Sequence, residues 1–140
     1  MTDGDLTGLL RREAGSLVER LRLWTPTRWA AAAPDGRTRS DVTRHLAQSF
    51  ADAAADLEGE PRRGLPHLSS DLALPDQLAV TADDLVRAGP GATGARAALA
   101  HLLTHRTDLL GDAVPQALCA RLGVPDETAV RALVASCYAG

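Results

Sequence analysis

Apolar residues recur along the chain at three- and four-residue steps in separate stretches, which is the spacing of amphipathic helices. Residues 6–21 form the first stretch, with charged side chains on the opposite face, and predict helix one. Residues 42–57 form the second stretch and predict helix two. Thr38 is placed to be the N-cap of helix two, with Asp41 in the position of the usual capping-box glutamate.

Proline and glycine punctuate the remaining sequence and predict four more helices. Helix three begins near Pro75 and stops before Gly89. Helix four covers residues 93–110 and is almost wholly apolar, so we expect it to be the most buried helix. Two short helices, over residues 115–122 and 125–138, complete the chain.

Two longer segments lack helical periodicity and are predicted as connections. Residues 25–38 form a loop with a turn around Trp29, and residues 59–73 link helices two and three. A link of that length spans roughly 50 Å when extended. This is enough for a crossover that makes helices two and three parallel and helix four antiparallel to both.

We therefore predict an all-α fold in a single domain over residues 1–140: a four-helix bundle with a crossover between helices two and three, plus two short C-terminal helices. Composition agrees, because 45% of the residues are hydrophobic but only 3% are aromatic. Such a core consists mainly of Leu, Ala and Val packed between helices. The C-terminal helix serves either to close this core or as the interface of a homodimer.

Charge and composition disfavour several classes of function. A net charge of −3 opposes binding to nucleic acid or to an anionic membrane, and no stretch approaches the roughly 20 apolar residues of a membrane span. The acidic start over residues 1–5 differs from the basic start of a signal peptide. Cys119 and Cys137 lack a CxxC pattern and are expected to be reduced. We expect a cytoplasmic protein without nucleic-acid or membrane partners.

Residues 38–49 also resemble the start of a DNA-recognition helix, with Arg37, Arg39 and Arg44 available for phosphates. The acidic net charge and the inward stripe through His45 favour another interpretation. We expect a capped core helix with solvated arginines.

Three histidines carry the candidate chemistry. His101 and His105 are four residues apart in helix four, so their side chains project from one face. Such a pair is also typical of two histidines that make only local hydrogen bonds. His45 lies on the apolar stripe of helix two, where a buried imidazole requires a partner. If helices two and four are antiparallel, the three rings lie at one level, roughly 6 to 8 Å from their helix ends.

Three neutral imidazoles with an open fourth position form the ligand set of a catalytic Zn²⁺ or a similar divalent ion. We therefore predict a metal site of His45, His101 and His105, where a bound water or thiol is nucleophilic near neutral pH. Asp108, one turn beyond His105, is either an outer partner that orients a ligand or an exposed carboxylate at the helix end.

The segment from Trp29 to Leu46 resembles part of a known family. The DinB-like and mycothiol-dependent maleylpyruvate isomerase N-terminal domains read roughly W, a small-residue and proline loop, then G-W-T-x-x-D-V-x-x-H-L. Seven residues fall in register with that pattern without a gap: Trp29, Gly36, Thr38, Asp41, Val42, His45 and Leu46. A later helix of the family carries H-x-x-x-H or E-x-x-x-H, which His101 and His105 match. The resemblance covers most of residues 6–110, although Arg37 stands where the family has tryptophan.

The resemblance implies a four-helix bundle with a divalent metal, often zinc or nickel, held by His45, His101 and His105. In many members a low-molecular-weight thiol such as mycothiol reaches the metal, and a small-molecule substrate undergoes transfer or isomerisation. A metal-dependent thiol transferase or isomerase is the function this implies. Two short helices stand where the isomerase has its C-terminal domain. The alternative is therefore a non-catalytic bundle that serves oligomerisation or the binding of a protein or ligand.

Other candidate residues have plainer interpretations. His67 in the long connection could cap the metal site from its loop, but a loop histidine is usually solvated. Arg62 and Arg63 could bind a carboxylate of the substrate or thiol, and paired loop arginines are more often solvated. Trp24 and Trp29 are expected to fix the chain where it enters helix two, and either could line a ligand pocket.

Overall fold

The computed structural model describes residues 3–138, with the side chains of residues 5–136, and within this range it contains helices and no strand. The all-α prediction is confirmed. A 3-10 turn at Asp71–Ala73 precedes the fourth of the seven α-helices in this range. The helices are α1 Asp3–Leu21, α2 Pro26–Ala30, α3 Arg39–Glu58, α4 Leu74–Arg87, α5 Gly91–Leu110, α6 Gln116–Leu122 and α7 Glu127–Tyr138.

Helix α5 is the centre of the core, as its apolar sequence predicts. Buried residues occur around nearly its whole circumference, and it packs against α1, α3 and α7. Helix α1 covers one side of α5 with its apolar stripe, in which Leu10, Leu17 and Leu21 are fully buried. Arg106 of α5 pairs with Glu13 of α1 at 3.1 Å, and both side chains are largely buried. Burial of these stripes away from water is the main force that holds the two helices together.

Helix α3 begins where the sequence predicts. The Thr38 hydroxyl accepts a hydrogen bond from the Asp41 backbone N–H at 3.1 Å and caps the helix, while the Asp41 carboxylate pairs with Arg44. Gly59 ends the helix in the left-handed conformation with φ 70°. Leu57, predicted on the apolar stripe, is 46% exposed because the last turn of α3 extends past the core.

The segment predicted as a loop over residues 25–38 contains the short helix α2. Thr25 caps it by accepting a hydrogen bond from the Arg28 backbone N–H, and Pro26 occupies its first turn. The indole of Trp29 is fully buried and meets Trp24 edge-on, with ring centroids 4.8 Å apart. These two tryptophans fix the chain before α3, as expected, and their burial stabilises a helical turn that apolar periodicity does not reveal.

The ends of the remaining helices lie within a few residues of their predicted positions. Pro75 lies in the first turn of α4, and the left-handed Gly111 and Gly123 end α5 and α6. Cys119 is a buried free thiol, whereas the side chain of Cys137 and residues 1–4 lie outside the described side chains. None of the helices in residues 3–138 is both long and apolar enough to cross a bilayer.

Candidate metal centre

The three predicted histidines meet between α3 and α5. His101 and His105 are buried on α5, with 1% and 6% of their surfaces exposed. His45 approaches them from α3, but it is exposed and not buried as its place on the apolar stripe predicts. Because α3 packs more extensively on α4 than on α5, its edge facing α5 stays open to solvent. The cluster therefore has a buried inner side and an accessible outer side.

The distances within the cluster suit a shared ligand. The ring centroids of His101 and His105 are 4.3 Å apart, and the His45 centroid lies 5.7 Å from the first and 5.6 Å from the second. One potential ligand nitrogen from each ring lies within 4.8 Å of the other two. His45 and the pair of His101 and His105, more than fifty positions apart in sequence, thus present three nitrogen donors close to one another.

A backbone hydrogen bond sets the orientation of the His105 ring. Its Nδ1 lies 2.9 Å from the carbonyl oxygen of His101. A carbonyl can only accept, so Nδ1 carries the hydrogen and donates it. The ring is then the neutral tautomer whose Nε2 bears the free lone pair. Metal-bound histidines commonly use such a bond from their second nitrogen to fix the ring.

Burial keeps the imidazoles neutral. It lowers the pKa of His101 from 6.5 to about 3, and the neighbouring His105 and His45 add to this effect. Burial likewise lowers the pKa of His105 to about 4, partly opposed by its hydrogen bond to the His101 carbonyl. The pKa of His45 is also lowered, first by partial burial and then by the charge of Arg37. Neutral rings are the form that binds a metal.

Two charged residues near the cluster have roles that the sequence did not settle. Arg37 is held by Asp35 at 2.7 Å, and its charge lowers the pKa of both His45 and His105. Sequence reasoning identified Arg37 as a departure from a family pattern and as a possible phosphate contact, but not as a neighbour of the histidines. Asp108 pairs with Arg131 at 2.7 Å and is partly buried, so it is not the exposed carboxylate expected at a helix end. Its charge acts on His105 in the opposite direction and raises the pKa.

A groove of about 280 Å³ opens beside His45. One wall is α3 and the other is the connection between α3 and α4, whose His67 reaches the same groove. Six residues line it: Arg44, His45, Gln48, Leu65, Pro66 and His67. His45, the exposed member of the cluster, therefore borders a space large enough for a small molecule.

The histidine cluster fits a divalent ion in donor type and number. Zn²⁺ binds histidine nitrogen at about 2.0–2.1 Å, so tetrahedral ligand nitrogens stand about 3.3 Å apart. The nitrogens here lie within 4.8 Å of one another, and modest rotation of the side chains closes that gap. Three neutral nitrogen donors leave one tetrahedral position for another ligand. This is the donor set of catalytic rather than structural zinc sites.

Three of the other arginines considered from the sequence, Arg39, Arg44 and Arg62, are engaged with neighbouring side chains. Arg62 forms two hydrogen bonds with Asp56, at 3.0 and 2.7 Å. Arg44 pairs with Asp41 and Asp71, and the guanidinium of Arg39 lies 5.4 Å from the centre of the Trp24 ring. Their arrangement is explained by contacts within the fold.

Comparison of the chain with protein-family models, with curated proteins and with solved structures finds no match. The resemblance to DinB-like domains stays a prediction, and the argument for function depends on the geometry of the site.

Proposed function

We propose that the chain is a metal-dependent enzyme whose divalent ion, zinc or nickel, is held by His45, His101 and His105. The observation that carries the proposal is the convergence of three neutral imidazole nitrogens within 4.8 Å, two of them from one buried helical turn.

The reaction class follows from the open side of the site and from the family resemblance. A divalent ion on three histidines acidifies a bound thiol or water and so supplies a nucleophile near neutral pH. His101 and His105 hold their positions through the rigid α5 backbone. His45 is exposed and lines the groove, so a ligand in the groove would reach the ion past this side chain. We infer a thiol-dependent transferase or isomerase of the DinB-like type, with a small thiol such as mycothiol as cosubstrate.

The predicted bundle with a crossover forms part of this proposal. Arg106 near the end of α5 pairs with Glu13 in the middle of α1, and Asp112 just after α5 pairs with Arg20 at the end of α1. The two ion pairs advance along both helices in the same direction, which supports a parallel pair. Arg22 at the end of α1 pairs with Asp76 at the start of α4, which supports an antiparallel pair.

The starts of α3 and α4 are also joined, by the pair of Arg44 with Asp71. Their ends, at Glu58 and Arg87, line one surface depression. A parallel α3 and α4, with α5 antiparallel to both, places His45 near the start of α3 beside His105 near the end of α5.

Metal analysis of protein purified without an affinity tag tests the proposal. We expect about one equivalent of zinc or nickel in the wild-type chain and a large loss in His105→Ala. The matched control is Thr107→Ala, two residues farther along α5 and outside the cluster, which should keep its metal. Absence of bound metal, with unchanged unfolding free energy in the triple alanine variant of the cluster, would refute the enzyme and leave a non-catalytic bundle.

A further inference from the structure

His67 lies on the wall of the groove that leads to the exposed side of the histidine cluster. It is not a member of the cluster itself, which among the described residues consists of His45, His101 and His105. His45 is the exposed member of the cluster and the one that lines the groove, so the groove adjoins the cluster on its exposed side. A molecule bound at the open position would extend into the space beside His67.

The loop that carries His67 is fastened to both neighbouring helices. The Gln48 side chain of α3 accepts a hydrogen bond from the Leu65 backbone N–H at 2.8 Å and donates one to the Arg63 carbonyl at 2.9 Å. The Gln77 side chain of α4 donates to the Pro66 carbonyl at 3.2 Å. Leu65 also packs against the core. The backbone directly before His67 is therefore fixed, and the groove is preformed.

The other polar side chains of the groove are already engaged. The two terminal nitrogens of Arg44 pair with Asp41 and Asp71, at 2.9 and 3.1 Å. The Gln48 amide is occupied by the loop backbone and by Asp52. Within residues 5–136, His67 has no hydrogen bond or ion pair. The Nε of Arg44 has no hydrogen-bond partner among the described residues, but it is buried. Among the groove residues outside the cluster, the His67 ring is thus the exposed polar group that remains for a ligand.

We propose that His67 is the residue that orients the substrate or cosubstrate in this groove. The ligand is a small molecule whose soft donor atom binds the ion and whose hydroxyl, or a similar neutral hydrogen-bonding group, contacts the His67 ring. Between these two ends a short apolar stem lies against Leu65 and Pro66. A volume of about 280 Å³ limits the ligand to metabolite size. This inference depends on the proposed metal site.

Two thiols of nearly equal shape test the contact. 2-Mercaptoethanol and 1-propanethiol differ only by a terminal hydroxyl in place of a methyl group. Each is titrated into the Co²⁺-loaded protein, and binding is followed by the sulfur-to-cobalt charge-transfer absorption. We expect the wild-type chain to prefer 2-mercaptoethanol by about 2- to 10-fold, the effect of one neutral hydrogen bond.

Three variants assign this preference to His67. His67→Ala should lower the ratio of the two affinities by this factor of about 2 to 10, because any difference in thiol acidity is the same in both proteins. His67→Gln, which keeps a hydrogen-bonding group, should recover part of the preference. Ser69→Ala, an exposed position on the same loop, should behave as wild type. The cobalt spectrum without thiol should be the same in all four proteins, because His67 is outside the ligand set.

The outcomes separate the two proposals. If the protein binds cobalt but neither thiol, or if the ratio of the two thiol affinities is the same in the wild-type chain and in His67→Ala, the assignment of His67 is wrong and the metal site stands. If the wild-type chain binds no cobalt, the metal site is wrong and the groove proposal is overturned with it.

Discussion

Acid should destabilise the metal-free protein through the two buried histidines. The folded-state pKa values of His101 and His105 are about 3 and about 4, below the ordinary histidine value of 6.5 that applies to the unfolded chain. As the pH falls below 6.5, the unfolded chain takes up protons that the folded protein does not accept. The stability that these neutral rings contribute is present above pH 6.5 and is lost progressively as the pH falls toward the folded-state pKa values.

The size of the effect follows from the two shifts. At pH 5 each ring is still neutral in the folded protein, and its unfolded counterpart is mostly protonated. One pKa unit corresponds to about 1.4 kcal/mol, so each ring lowers the free energy of unfolding by about 2 kcal/mol between pH 7 and pH 5. The pair lowers it by about 4 kcal/mol, which is a large part of the stability of a typical domain.

Urea unfolding in the presence of a chelator measures this loss at pH 7, 6 and 5. The matched variant is the double substitution His101→Leu with His105→Leu, which keeps similar volume and removes both titrating rings. Its unfolding free energy should change far less over the same range, because only groups shared with the wild-type chain still titrate. His105→Leu alone should remove about half of the wild-type loss. Equal losses in the wild-type and double-variant proteins would refute the argument.

Three further predictions concern the scaffold of the site. Gln48→Ala should cost about 1 kcal/mol in urea unfolding and speed amide hydrogen exchange at Leu65, whose N–H loses its acceptor; unchanged exchange would contradict the proposed fastening. Glu13→Ala leaves the largely buried Arg106 without its carboxylate and should lower the free energy of unfolding by about 1 to 3 kcal/mol. The control is Asp83→Ala, which removes the exposed partner of Arg87 and should lower it by under about 0.5 kcal/mol in the same urea unfolding measurement. Thr38→Ala should cost about 1 kcal/mol through loss of the N-cap, and an unchanged denaturation midpoint would argue against that cap.

Local signals in the sequence were sufficient where a structural feature depends on neighbouring residues. The Thr38 cap, the left-handed Gly111 and the proline in the first turn of α4 each act within one turn of helix, so their residue types indicate them directly. The i, i+4 spacing of His101 and His105 likewise follows from helix geometry alone. These features were predicted correctly.

Features that depend on how helices pack were predicted less well. The exposure of His45 depends on which side of α3 meets α4, and periodicity identifies an apolar stripe without showing where its edge lies. Around Trp29 a turn was predicted, but not its extent as the helix α2. A five-residue helix is too short for periodicity and is stabilised by the contact of Trp29 with Trp24. The place of Arg37 depends on a pair with Asp35 across a turn, so its influence on the histidines required coordinates.

The bond from His105 to the His101 carbonyl has a consequence for how the chain tolerates change. Many metal centres depend on a distant side chain to orient a ligand, and loss of that side chain impairs the centre. Here the acceptor is a main-chain oxygen four residues earlier, which any amino acid at that position would supply. The helix backbone itself therefore orients the His105 ring. Side chains around α5 can be substituted without loss of the hydrogen bond that holds this orientation.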